Sequence, residues 1–517
     1  MLKNYRNIAV VSLSTVGSRL LGLVRDIMIF AALGASLWNS AFILAFTLPN
    51  LFRRLLGEGA LTSAVVPVFS DVVERRGPAA AFEFFNQILL RVAVLLFGTV
   101  VASFALLACL NIFGFLPGRW SLGADLSVWL LPYTIFICLA AIISAGLNVL
   151  GRFAVPACTP ALLNLAMIAA LAAGWFLEAS QARIVYLLCG GVLVGGVLQL
   201  ALPAWDLFRQ GWRPKLSIEA SDDLESVWDL FLPGLMGAAI LQINILVSRL
   251  LAYGLEESAV SVLYLASRLM ELPLGVFTIA IVTVFFPLLA KAVSNKDKAD
   301  FAASFSRGMR MVLALSLPAG VGLAVLGGPI LGLLFQWGAF EAADVDATIT
   351  LLAIYGFGLP FYSAATFATR GLHARKDMFT PMRVAAVCLI TNVLFGITLM
   401  QFMGATGLAL ANVLAAIVQS AMLWNALASS VPSIRLKSLG QSILKILIAA
   451  LGMGIFCWFG IWLIPEFVPL SGKALDLSLV LLGVPLGAGL YFGLLGLMRF
   501  EELGELKSVF KRKSSEL

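Results

Sequence analysis

Nine of the ionisable side chains inside stretches otherwise apolar enough to cross a bilayer stand out. They are Arg19, Arg25 and Asp26 in the first stretch, Arg53, Arg54 and Glu58 in the second, Arg249 in the seventh, and Arg268 with Glu271 in the eighth. An arginine at the centre of a membrane helix costs about 2.5–3.5 kcal/mol on insertion scales, so such residues mark function or a hydrated cavity. Ser18, Gly22 and Arg25 fall at i, i+4 and i+7, one stripe of a helix that could line such a cavity. Arg19 lies about 9 Å along the axis from Arg25, turned roughly a third of a revolution away. The six arginines outnumber the three acids, and surplus guanidinium with its planar fork suits phosphate oxygens. Part of the set has a plainer explanation: Arg54 with Glu58 and Arg268 with Glu271 have the spacing of intrahelical ion pairs. Arg91 sits near the start of its stretch, where an arginine snorkels to the interface.

The elements that must hold these residues follow from composition. Of 517 residues 61% are hydrophobic and 12% charged, with a mean hydropathy of +0.99. Soluble domains run near 45–50% apolar and about 25% charged, so a water-soluble enzyme is excluded. Runs of about 20 apolar residues occur near 7–32, 37–66, 84–114, 124–150, 157–177, 182–208, 227–253, 259–290, 309–336, 347–370, 381–402, 405–429, 441–464 and 477–498. The second contains Pro49, Gly57 and Gly59, which predicts a kink or break. The segments lack the alternation of an outer-membrane barrel. The expected fold is an all-α polytopic membrane protein of 14 transmembrane helices.

Lys and Arg set the orientation. With a cytoplasmic N-terminus, 25 of the 35 basic residues fall on the inner side and three (Arg119, Arg183, Lys473) on the outer. Glu256, Glu257, Glu341, Asp344 and Asp346 occupy outer loops. Both termini are therefore expected in the cytoplasm. The net charge of +7 belongs to this loop bias and not to a nucleic-acid partner.

The two halves echo each other at a common offset. Ser18-Arg19-Leu20-Leu21 recurs as Ser248-Arg249-Leu250-Leu251, and Leu48-Pro49 as Leu272-Pro273. Thr159-Pro160 recurs as Thr380-Pro381, and Val197-Leu198-Gln199 as Ile417-Val418-Gln419. Six spans separate the equivalents, so two six-helix lobes related by a pseudo-two-fold axis along the membrane normal are expected, as in many secondary transporters. The division is an N-terminal lobe at 1–210, a linker at 211–226, a C-terminal lobe at 227–430, and two added helices with a basic tail at 431–517. Gly190-Gly191 and Gly195-Gly196 read as sites of close helix packing.

Other chemistry has little to build on. There is no GxxxxGK[ST] loop for ATP. His373 is the single histidine, and the six cysteines are scattered without a CxxC pair, so neither a metal site nor a disulfide framework is expected. No cofactor is expected.

The sequence resembles the MurJ (MviN) lipid II flippases of the multidrug/oligosaccharidyl-lipid/polysaccharide exporter superfamily. The resemblance is carried by Ser18-Arg19-Leu20-Leu21-Gly22-Leu23-Val24-Arg25-Asp26, by Leu48-Pro49-Asn50-Leu51-Phe52-Arg53-Arg54 with Gly57-Glu58-Gly59-Ala60, and by Arg268-Leu269-Met270-Glu271. Pro156, Thr159-Pro160 with Asn164, and Phe335-Gln336-Trp337-Gly338 add to it. It implies movement of undecaprenyl-diphosphate-MurNAc-pentapeptide-GlcNAc (lipid II) from the inner to the outer leaflet of the bacterial cytoplasmic membrane, by alternating access. It implies essential arginines at Arg19, Arg25, Arg53 and Arg268, supporting acids at Asp26, Glu58 and Glu271 beside Ser18 and Arg54, and a lipid-tail groove on the last two helices. A monomer in contact with membrane lipid and with cell-wall synthesis or division proteins is expected. Ser40 and Ser267 stand where the family often has acids. Two other readings remain at this point: an exporter of another lipid-linked oligosaccharide or a drug, and a membrane-embedded glycosyltransferase. Arginine excess opposes a cationic drug, and short outer loops oppose the enzyme.

Overall fold

Helices occupy nearly the whole length of the chain in a computed structural model that describes residues 2–57, 59–217, 222–431, 436–467 and 470–504. In order they are α1 (Leu2–Leu33), α2 (Leu37–Phe52), a π-helical turn (Arg53–Gly57), α3 (Ala60–Ile112), α4 (Arg119–Leu130), α5 (Tyr133–Val149), α6 (Ala154–Phe176) and α7 (Gln181–Arg209). There follow α8 (Asp222–Leu255), α9 (Ala259–Pro273), a second π-helical turn (Leu274–Thr278), α10 (Ile279–Ser294), α11 (Lys298–Leu334), α12 (Ala342–Ala374), α13 (Phe379–Ser430), α14 (Leu436–Phe467) and α15 (Lys473–Leu497). Among the described residues no strand occurs. Ten of the described helices are long and apolar enough to cross a membrane, or eleven when α4 and α5, bent by 42°, count as one.

Two of the long helices are each two helices joined at a glycine. In α3 the break is Gly77, at φ 83° and ψ 172°. Pro78 disfavours helical geometry in the residue before it, and glycine accepts the positive φ that results. In α13 the break is Gly404, at φ 56° and ψ −133°. Divided there, the helical segments match in position all fourteen apolar runs of the sequence. The expected interruption of the second run is also present. A π-helical turn follows α2, and a Cβ on Gly59 would stand 2.2 Å from the Arg54 carbonyl oxygen. The Leu272-Pro273 pair, which echoes Leu48-Pro49, is likewise followed by a π-helical turn.

The chain forms two compact units, Met1–Ser261 with Trp337–Phe340, and Val262–Gln336 with Glu341–Leu517. This packing boundary falls later than the 211–226 linker, because α8 packs with the first unit. Tyr253 of α8 is fully buried and donates its hydroxyl to the Arg119 carbonyl at 2.6 Å, while the Arg119 guanidinium donates to the Tyr253 carbonyl at 3.3 Å.

In the first unit α6 runs along α7 at a separation set by glycine. A Cβ on Gly191 would lie 2.7 Å from Ala170 Cβ, on Gly195 2.9 Å from Leu163 Cδ1, and on Gly196 2.6 Å from the Tyr133 ring, whereas Gly190 faces open space. Close packing thus accounts for three of the four. The Phe335-Gln336-Trp337-Gly338 motif also has a packing role. The Ala339 N–H donates to the Ala31 carbonyl at 2.8 Å, and Phe340 meets Phe30 edge-on at 5.4 Å. Gly34 and Gly338, both at positive φ, allow that approach.

In the second unit α14 and α15 dock on α11. Pro318 lacks the N–H that would bond the Ala314 carbonyl, and the Tyr491 hydroxyl of α15 takes that carbonyl at 2.6 Å. Ala314, Ile446, Ala450, Tyr491 and Phe500 share one buried cluster. Arg310 pairs with the buried Glu502 just beyond α15.

Candidate functional site

In the first unit the arginines of α1 differ in what holds them. Arg25 donates through Nε and Nη2 to Asp26 Oδ1, at 3.0 and 2.6 Å, and through Nη1 to Asn164 Oδ1 of α6 at 2.9 Å. Asn164 in turn donates Nδ2 to the Ser18 carbonyl at 3.0 Å. The Arg25 side chain retains 11% exposure, and Asp26 and Asn164 are buried. The Ser18, Gly22 and Arg25 stripe therefore lies against α6, with Gly22 buried in that contact. Arg19, turned away on the same helix, is exposed.

Arg53 and Arg54 belong to the π-helical turn after α2, Arg53 half-buried and Arg54 exposed. The wider turn shifts both side chains off the register that an uninterrupted helix would give them. Glu58 lies outside the described residues, and with it the Arg54–Glu58 pair expected from spacing. Arg249 of α8 donates to the Thr47 hydroxyl of α2. Ser40, fully buried, donates to the Glu257 carbonyl and lies 3.3 Å from the Ser261 hydroxyl. At Ser40, one of the two places where the resembling family often carries an acid, this chain has a neutral hydroxyl network.

In the second unit Arg268 pairs with Glu271 of the same helix at 3.3 Å, both side chains being well exposed at 38% and 49%. Ser267 turns back to the Tyr264 carbonyl at 2.9 Å. The ion pair expected from spacing is thus present.

The site residue that reasoning on charge missed is Asn164, which fixes two groups of α1 at once. Its signal was an amide in an apolar run, five positions after Thr159, which with Pro160 lies inside α6. A carboxylate on one edge of the Arg25 guanidinium and an amide on another fix its plane, and charge-assisted bonds of this kind are among the stronger ones in proteins.

A sequence model described as lipid II flippase MurJ matches residues 29–475. The chain belongs to this family. It is 34% identical over 431 residues to the probable lipid II flippase MurJ of Rhizobium meliloti (strain 1021), covering 81% of this chain and 79% of the relative. To the lipid II flippase MurJ of Burkholderia cenocepacia it is 30% identical over 522 aligned positions, covering 96% and 98%. Among solved structures, a lipid II flippase MurJ in an inward closed conformation superposes with a TM-score of 0.77 at 26% identity, over 95% of this chain and 99% of that one. An inward-facing MATE family transporter of the MOP superfamily gives 0.63 at 14% identity, over 81% and 95%. At that identity the second likeness speaks for the fold alone. The resemblance read from the two arginine motifs is thereby confirmed, as are the all-α class and the multi-pass membrane character.

Proposed function

We propose that this chain moves lipid II from the inner to the outer leaflet of the bacterial cytoplasmic membrane, by alternating access of its two halves. It is a transporter and not an enzyme. Family membership over nearly its whole length supports the substrate. Arg19, Arg25, Arg53 and Arg268 engage the diphosphate, with Ser18, Asp26, Arg54, Glu58 and Glu271 orienting those arginines and limiting their affinity so that product leaves. The observation that carries this assignment is the double tether of Arg25 to Asp26 and Asn164. A membrane-depth guanidinium is kept at one angle, and its carboxylate partner lowers the charge that a bound anion would otherwise be unable to escape. Fourteen crossings with both termini in the cytoplasm follow from the distribution of basic residues. An inside-negative potential or an ion gradient drives the cycle.

The test is a leaflet assay on cells that depend on this chain. Arg25→Ala and Arg268→Ala should each leave lipid II in the inner leaflet while the protein remains in the membrane at normal level. Wild-type outer-leaflet lipid II in either variant removes that residue from the site. Wild-type leaflet distribution after depletion of the whole chain removes the function.

A further inference from the structure

One face of α7 carries a second set of features unconnected with the arginine motifs. At mid-height a cavity of about 410 Å³ opens between α5 and α7, lined by Pro132, Phe136, Leu193, Val194, Val197 and Leu198. Its Pro132 edge lies where the chain bends by 42° between α4 and α5. All six lining side chains are apolar. Eleven residues further along α7 from Val194, Val197 and Leu198 stand Trp205, Phe208 and Arg209. Eleven residues are close to three full turns, so both groups share one face, about 16 Å apart along the axis. Trp205 and Phe208 are exposed, at 64% and 43%, and Arg209 is exposed beside them.

The following loop adds a second cation in a built position. Arg213 stacks over the Phe208 ring at 3.8 Å and donates Nη1 to the Phe208 and Trp212 carbonyls, at 2.8 and 3.0 Å. Trp212 is buried and donates its indole N–H to Asn86 at 2.8 Å, while Asn86 donates to the Arg213 carbonyl at 2.9 Å. The loop is pinned to α3, with Arg213 held against the aromatic end of the face.

We propose that this face binds one anionic glycerophospholipid, its phosphate at Arg209 and Arg213, its glycerol level at Trp205 and Phe208, and the end of one acyl chain in the cavity between α5 and α7. The spacing fits. Half of a bilayer's hydrocarbon is about 15 Å deep, which is the distance from the cations to the cavity. The volume, about 410 Å³, suits a short stretch of one acyl chain. An undecaprenyl chain is several times too large for it. Cations with interleaved aromatic rings are the pattern that anchors a protein at the headgroup level of a bilayer.

Native mass spectrometry on the purified full chain tests the site, with phosphatidylglycerol and phosphatidylcholine of matched acyl chains as probes. Phosphatidylglycerol should be retained in preference, and Arg209→Gln should weaken it about fivefold while leaving phosphatidylcholine nearly unchanged. Val197→Trp, which fills the cavity from a half-exposed position, should weaken both lipids. Lys291→Gln, which removes an exposed cation elsewhere, should change neither. Equal retention of the two lipids, an Arg209→Gln effect no larger than that of Lys291→Gln, or binding that survives Val197→Trp overturns the proposal. Stronger, Arg209-dependent retention of undecaprenyl phosphate than of phosphatidylglycerol overturns the choice of occupant.

Discussion

Asn164 decides where Arg25 points. A hydrogen bond to a charged group contributes about 1.5–3 kcal/mol, and here one amide serves a guanidinium and a backbone carbonyl on the same helix. Asn164→Leu keeps the volume and removes both bonds. Translocation should fall about tenfold or more, as the energy of one such bond implies. Asn164→Asp should restore the geometry and still transport poorly, because a second carboxylate beside Asp26 would cancel the cationic character of the proposed diphosphate site. Rates measured in vesicles, alongside expression level, separate this from simple loss of fold: equal rates in Asn164→Leu and wild type would show that Arg25 needs no such support. Asp26 and Arg25 were legible as a charged couple from adjacency alone. Asn164 was named only as part of the family resemblance, and its bond to Arg25 was not legible, since the contact spans 139 positions in sequence.

At the scale of elements, glycine sets the distance between helices and proline sets where they bend. Gly191→Leu must push α6 from α7, an overpacking that costs about 1–3 kcal/mol. Gly190→Ala meets nothing within 4 Å and should leave stability unchanged or raise it by up to about 1 kcal/mol through helix propensity. Thermal unfolding of the two variants in detergent checks the pair, and equal losses would refute the packing account. The turn before α13 gives a pH prediction. Desolvation is the largest influence on Asp377 and pushes it up, but the Thr380 hydroxyl, the Thr380 and Phe379 N–H groups and Arg375 together hold its carboxyl below the ordinary 3.8. A carboxyl depressed in the folded state stabilises above its unfolded value and loses that contribution as pH falls through the folded one. The stability of the wild type should therefore drop more steeply below about pH 4 than that of Asp377→Asn, read as unfolding midpoint against pH. The existence and order of the helices were legible from apolar runs, although α11 begins at Lys298, well before the run at 309–336, and the break after α2 was legible from Pro49, Gly57 and Gly59. Periodicity did not reveal that the break takes the form of a π-helical turn, which depends on how the chain folds back on Arg54 at Gly59.

For the whole molecule the driving force is the issue. An inside-negative potential of 100 mV favours outward movement of each negative charge by about 2.3 kcal/mol, and on the proposed mechanism the empty cationic site would be drawn back by the same field. Collapsing the potential with an ionophore while holding the pH gradient should slow flux through this chain; unchanged flux would assign the work to an ion gradient instead. What the sequence determined by itself is the class of molecule and its family: apolar length dictates helices in a bilayer, and the arginine motifs point to the family that the comparisons show. These properties are local, fixed by the transfer energy of short segments. Only the tertiary structure decided that the Ser18 stripe packs on α6, that α8 joins the first unit, and that Tyr491 satisfies a carbonyl freed by Pro318. Each of those depends on which helix faces which, and a helix buried in lipid is nearly as apolar on every side, so its hydropathy cannot say where it turns.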